Sequence, residues 1–175
     1  MAREMIIIPY DNRWPEMYEK EKNILLGIFG SAIIDIQHFG STSIKGLSAK
    51  PIIDIIIVVK DIRQVDEFNN VMEYHEYIPH GENGIEGRRY FVRLSSDNHD
   101  IHTVHIHIYQ EGNQHISDEL MFRDYLLIDN EALREYEKVK TEASLKFRYS
   151  PEEYVDAKYG CIMEIMRKAK AYYKK

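Results

Sequence analysis

Residues 52–59 read Ile-Ile-Asp-Ile-Ile-Ile-Val-Val, and this run constrains the fold more than any other part of the chain. β-Branched side chains favour extended backbone, and a run apolar at odd and even positions alike suits a strand covered on both faces. Such a strand belongs to the interior of a layered sheet. Asp54 interrupts it, and a carboxylate among isoleucines is unfavourable unless it is paired, hydrogen-bonded or coordinating a metal. The alternative is a turn cap at the start of the strand, where water still reaches it.

The flanking patterns supply the other layers. Residues 5–8 read as a short strand, 14–29 as an amphipathic helix, 32–39 as a strand and 62–75 as a helix with Val65, Phe68 and Met72 on one face. Residues 88–94 and 102–109 read as two strands of a hairpin across the polar turn 95–100. From about 115 the period is helical to the end, with breaks near Asp129 and Ser150. At the second break, Ser150-Pro151-Glu152-Glu153 predicts a capping box with proline in the first turn. The expected fold is α/β, or more strictly α+β: a mixed sheet with flanking helices over about 1–112 and a helical portion over about 113–175. The two portions are expected to form a single domain, 1–175.

Composition narrows the function classes. In 175 residues the formal net charge is −6, which argues against a general nucleic-acid binder needing a basic surface. No apolar stretch approaches the length of a membrane helix, and the run at 5–8 is too short for a signal-peptide core, so the expected compartment is cytoplasmic. Cys161 has no partner in the sequence and reads as a buried helix thiol. The basic residues Arg167, Lys168, Lys170, Lys174 and Lys175 read as a solubilising helix terminus.

Two motifs carry chemistry. After the strand ending at Phe39 comes Gly40-Ser41-Thr42-Ser43, where glycine allows a tight turn, N–H groups can converge on an anion, the hydroxyls add donors and Lys50 adds charge. The loop matches neither Walker nor dinucleotide spacing. His105 and His107, two apart on a strand, share one face. They can offer two imidazoles to a metal with Asp54 as third ligand, bind phosphate when protonated, or line a polar sheet face. His99, His102 and His115 read as exposed loop or element-end residues.

The stretch His38-Phe39-Gly40-Ser41-Thr42-Ser43-Ile44-Lys45-Gly46-Leu47-Ser48-Ala49-Lys50-Pro51-Ile52-Ile53-Asp54-Ile55 resembles the signature of the GrpB family. Pro9-Tyr10-Asp11-Asn12-Arg13-Trp14-Pro15, His105-Ile106-His107 and Phe122-Arg123-Asp124-Tyr125-Leu126 extend the resemblance along the chain. That family is similar to the nucleotidyltransferase superfamily, and its domain also occurs fused to dephospho-coenzyme A kinase. The resemblance implies phosphates held by Gly40, Ser41, Thr42, Ser43 and Lys50, and a divalent metal, Mg²⁺ or Mn²⁺, at a catalytic Asp54. It also implies a substrate pocket including Arg89, Arg123 and Lys140. The superfamily's second carboxylate is missing, because Ile55 and Ile56 follow Asp54. Three readings follow: a nucleotidyl- or phosphoryl-transferring protein, a non-catalytic nucleotide or metabolite binder, and a histidine-dependent metal hydrolase. The expected partner is a small nucleotide or phosphorylated substrate, with neither nucleic acid nor membrane as a general partner.

Overall fold

A computed structural model describes residues 4–174, so Lys175 lies outside the described residues. Five strands, β1 (Ile33–Phe39), β2 (Ile53–Val59), β3 (Ile78–Pro79), β4 (Arg88–Leu94) and β5 (His102–Gln110), form one mixed sheet in the order β1-β2-β5-β4-β3. The isoleucine-valine strand β2 pairs antiparallel with β1 and parallel with β5, so its backbone is satisfied on both sides. The predicted hairpin is present as the antiparallel pair β4–β5. This is the mixed α/β sheet with flanking helices that the sequence predicts.

Strand period two sorts each strand between two faces. Ile53, Ile55, Ile57 and Val59 of β2 join Val104, Ile106 and Ile108 of β5 in one core. That core is closed by Trp14, Leu25 and Phe29 of α1 (Trp14–Phe29) and by Met72 of the short helix α2 (Asn69–Tyr74). On the opposite face Phe39, Ile56 and Val58 pack against Ile116 and Leu120 of α3 (Gln114–Ile128). A further core joins Ile44 and Leu47 of the loop after β1 to Tyr125, Leu126, Tyr136 and Ile165. The last two side chains come from α4 (Asn130–Lys146) and α5 (Pro151–Tyr173). The Gly/Ser loop is thereby clamped between the sheet and the helical portion.

Four local expectations are corrected. Residues 5–8 form no strand; Ile8 makes one isolated antiparallel bridge to Ala49, while Met5 packs with Ala143 and Tyr154. The predicted helix at 62–75 begins as a 3₁₀ helix, Ile62–Phe68, before α2. Ser150 makes no side-chain cap, whereas at the other break Asp129 accepts from the amides of Glu131 and Ala132 at the start of α4. Cys161 is only partly buried. No helix among the described residues is long and apolar enough to cross a membrane.

Candidate functional site

Pairing of β2 with β5 sets Asp54 beside His105 and Ile56 beside His107 in register. Register partners in a parallel pair share a face, so the three polar side chains emerge together on the face away from α1. The Asp54 Oδ1 to His105 Nδ1 distance is 3.2 Å, and one ligand atom from each of Asp54, His105 and His107 fits within a 4.8 Å cluster.

His102 joins them, contrary to the expectation of an exposed end residue. Three positions along a regular strand would send it to the other face. The register between β4 and β5 shifts between Arg93 and Leu94, so that Leu94 opposes His102 and Thr103 is the extra residue. Such a bulge returns His102 to the face of His105. The His102 Nδ1 and His105 Nε2 atoms lie 2.8 Å apart. With Asp54 ionised and accepting from Nδ1–H of His105, the Nε2 lone pair of His105 accepts from His102. A metal at Nδ1 reverses that second bond, since Nε2 then carries the ring proton and donates to His102, the usual outer arrangement of a ligating histidine.

The donor set therefore fits a metal at Asp54 and His105 without rearrangement. His107 fits with one adjustment. Its Nδ1 lies 3.3 Å from a guanidinium nitrogen of Arg88. Arginine can only donate, so the neutral ring keeps its proton on Nε2. Ligation through either nitrogen must displace Arg88 or that proton. Burial pushes the His107 imidazole down to about 3, with the Arg88 charge opposing protonation further, so the ring is neutral at ordinary pH.

The loop before β2 is built around the same carboxylate. Gly40 has φ +70°, and a Cβ placed on it would meet Asp54 Oδ2 at 2.6 Å, so glycine is required both by conformation and by contact. The hydroxyls of the loop divide. Thr42 is buried and donates to the Ile52 carbonyl at 2.9 Å, which obliges Nε2 of His38, also at 2.9 Å, to donate to Thr42. Desolvation holds that histidine down at about 4, consistent with a neutral ring. Ser43 donates back to the Gly40 carbonyl at 2.6 Å. Thus Thr42 and Ser43 spend their protons holding the turn, and Ser41 is the loop hydroxyl that lines the cleft beside Asp54 without such a commitment to the loop backbone.

That cleft, about 210 Å³, is lined by Asp54 and His105 of the sheet, by Lys50 of the loop before β2, and by Lys140 of α4 and Lys158 of α5. Lys140 is only 2% exposed, and its ammonium donates to the Ser48 carbonyl at 2.6 Å. Burial, reinforced by the Lys158 charge, pushes Lys140 down to about 7, and burial pushes Lys158 down to about 8 against the opposing pull of Asp54. Tyr154 lies between Lys50 and Lys158, whose ammonium groups sit 4.6 and 4.2 Å from its ring centroid. The Lys158 and Lys50 charges disfavour protonation of Lys140, Glu137 and Asp54 offset part of that, and an entering anion would favour the charged amines further.

Of the predicted substrate residues, Lys140 lies in the cleft. Arg89 does not: it pairs with Asp66 at 2.6 Å in a bidentate contact, and its strand register puts it on the opposite face from His107. Arg123 is outside the cleft: it reaches back to Gln37 and the His38 carbonyl, bracing β1, and lines a neighbouring cavity. Sequence patterns single out neither Lys158 nor Tyr154; on their helix they mark the basic end from Arg167 as a solubilising terminus. The available signal was the four-residue spacing of Tyr154 and Lys158 on α5, which aims both at one place.

Comparison with known proteins bears on this arrangement as a whole. The model of the GrpB protein family matches residues 4–168. The UPF0157 protein YqkA of Bacillus subtilis is 40% identical over 172 residues, covering 98% of this chain and 49% of that protein, so this chain spans about half of that relative. The glutamate-rich protein GrpB of Alkalihalophilus pseudofirmus is 34% identical, covering 93% of this chain and 94% of the relative. A crystal structure of the conserved protein GrpB from Enterococcus faecalis superposes with a TM-score of 0.89 at 32% identity, over 97% of this chain and 100% of that one.

Proposed function

The chain belongs to the GrpB family, and from that premise we propose that it is a nucleotidyltransferase-like protein. It takes a nucleotide or related phosphorylated substrate and transfers a nucleotidyl or phosphoryl group with the help of one divalent metal. The observation that carries this reading is one cleft that gathers Asp54 and His105 with Lys50, Lys140 and Lys158. Phosphoryl chemistry needs positioning and neutralisation of oxygen charge more than covalent participation by the protein. Lys50, Lys140 and Lys158 supply that neutralisation, and Ser41 a donor beside the turn. Asp54 and His105, joined by His107 after the adjustment described, would hold the ion. When bound, such a metal polarises a phosphoryl oxygen. One carboxylate with imidazoles favours Mn²⁺ or Zn²⁺ over Mg²⁺, which prefers oxygen donors.

A specific observation favours a second reading, a nucleotide or metabolite binder without turnover. The position of the absent second carboxylate is Ile56, fully buried against Phe39 and Val58, so β2 offers no second metal. Calorimetric titration with nucleoside triphosphates, with and without Mn²⁺, Zn²⁺ or Mg²⁺, tests the leading reading. Metal-dependent binding that disappears in Asp54→Asn is expected. Binding that ignores the metal favours the binder, zinc uptake without any nucleotide binding favours a hydrolase, and unchanged metal-dependent binding in Asp54→Asn contradicts the assignment of this residue.

A further inference from the structure

A second cavity adjoins the cleft. It measures about 400 Å³ and shares Ser41 with the first, while Gly40, which presses on Asp54, also lines it. That volume lies within the range of small-molecule sites. Its walls differ from those of the cleft: Ile44, Phe122, Tyr136, Ile162, Met163 and Met166 make it largely apolar. Phe122 and Tyr136 meet edge to face with ring centroids 5.3 Å apart. Aromatic faces and polarisable thioethers are suited to a planar ring.

One stripe of α5 runs through both cavities. Lys158 lines the cleft, whereas Ile162, Met166 and Lys170, at successive four-residue intervals, line the chamber. Residues four apart on a helix share a face, and at about 1.5 Å per residue Lys158 and Met166 are separated by about 12 Å along the axis. Helix α4 repeats the arrangement, with Lys140 in the cleft and Tyr136, one turn earlier, in the chamber. Each helix thus carries a lysine at the cleft and apolar residues at the chamber, with Lys170 closing the far end of the α5 stripe. A polar edge is present too. Glu119 remains solvent-accessible, yet surrounding protein and the charges of Asp54 and Asp118 push its carboxyl up to about 7.

We propose that cleft and chamber receive two parts of one ligand, a nucleoside phosphate whose phosphates lie among Lys50, Lys140 and Lys158 and whose nucleobase lies between Phe122, Tyr136 and the methionines. This inference rests on the phosphate reading of the cleft and adds what recognises the rest of the molecule. The two-level spacing matches a ligand charged at one end and planar and apolar at the other. Free inorganic phosphate or polyphosphate would leave the chamber empty.

The probes are sodium tripolyphosphate and the four ribonucleoside triphosphates, titrated separately under identical metal and salt conditions. The expected result is that at least one nucleotide binds about tenfold or more tightly than tripolyphosphate, the gain typical of one base stacked on an aromatic side chain. Phe122→Ala should remove most of that advantage while leaving tripolyphosphate affinity within about twofold of the parent, which is within the scatter of independent sites. Met163→Glu, at a half-exposed position at the mouth that folding does not require to be apolar, should do the same. Equal affinity for tripolyphosphate and every nucleotide overturns the chamber assignment. So does a parallel loss of both ligands in the two variants. Nucleotide binding with no tripolyphosphate binding instead overturns the lysine-cleft reading, and binding of neither overturns both.

Discussion

The two faces of the sheet use the same strands for opposite purposes. Toward α1, Ile53, Ile55 and Ile57 alternate into a closed aliphatic core with no exposed surface. One residue out of phase, Asp54, His105 and His107 emerge toward the helical portion, where α3 covers Ile56 and Val58 but the cleft remains beside the carboxylate. The difference shows how a strand apolar on both faces can still carry a site. The aliphatic face supplies stability, so the other face can hold desolvated charges whose stability contribution is adverse until a ligand arrives.

The most forceful way to break this comparison is to put the same amide on each face. Ile55→Asn places an unsatisfied polar group in the closed core and should lower unfolding free energy by about 3–5 kcal/mol, combining lost packing with a buried unpaired amide. Asp54→Asn, its neighbour, should leave stability within about 1 kcal/mol of the parent or raise it, because it removes a partly desolvated charge. Urea denaturation of both variants makes the check. Comparable destabilisation by the two would mean that the site face is as much a structural core as the other.

His102 sharpens the comparison within the site face. If it orients His105, His102→Ala should weaken Mn²⁺ or Zn²⁺ affinity about 10–100-fold, the usual effect of removing an outer partner of a ligating histidine. His102→Asn keeps an oxygen acceptor for the His105 N–H and should recover much of the loss. Metal titration followed by calorimetry separates this from a packing role, which Asn would not rescue.

How far this site was legible follows from where its parts lie in the chain. The loop, β2 and Asp54 are contiguous, so turn chemistry and a carboxylate set in hydrocarbon were visible together. Alternation likewise put His105 and His107 on one face. His102 was hidden by the bulge at Thr103, a backbone event that period-two reasoning excludes. Lys158 and Tyr154 sit about a hundred residues from the loop, on a helix whose charges also fit a solvated surface. Arg89 was misplaced because the resemblance suggested a role while strand parity sends its side chain to Asp66. Residues 5–8 had the composition of a strand but no neighbouring edge with which to pair beyond Ala49. Ser150 had the letters of a cap without the geometry.

The smallest expected effect is a pH dependence confined to the site face. Lys140 and Lys158 are pushed down to about 7 and 8 from an ordinary 10.5. Between those values and 10.5 the unfolded chain binds more protons than the folded one, so their contribution makes ligand-free stability rise with pH across that window. An anion favours the protonated amines and reverses the preference. Triphosphate affinity should therefore fall a few-fold as pH rises from about 7 to about 8, with protons taken up on binding. Calorimetry in buffers of different ionisation enthalpy reads that uptake, and Lys140→Met should reduce it. No uptake would place the anion elsewhere.

The central claim is that the Asp54–His105 pair and the lysines of the cleft serve one ligand, and a double-mutant cycle between the two groups tests it most directly. Affinity for a Mn²⁺-nucleoside triphosphate would be measured in the parent, Asp54→Asn, Lys158→Met and the double variant. Residues acting on one bound molecule couple, whereas independent sites add within about 0.5 kcal/mol. A coupling energy clearly above that value is the predicted result, and additive losses would contradict a shared site.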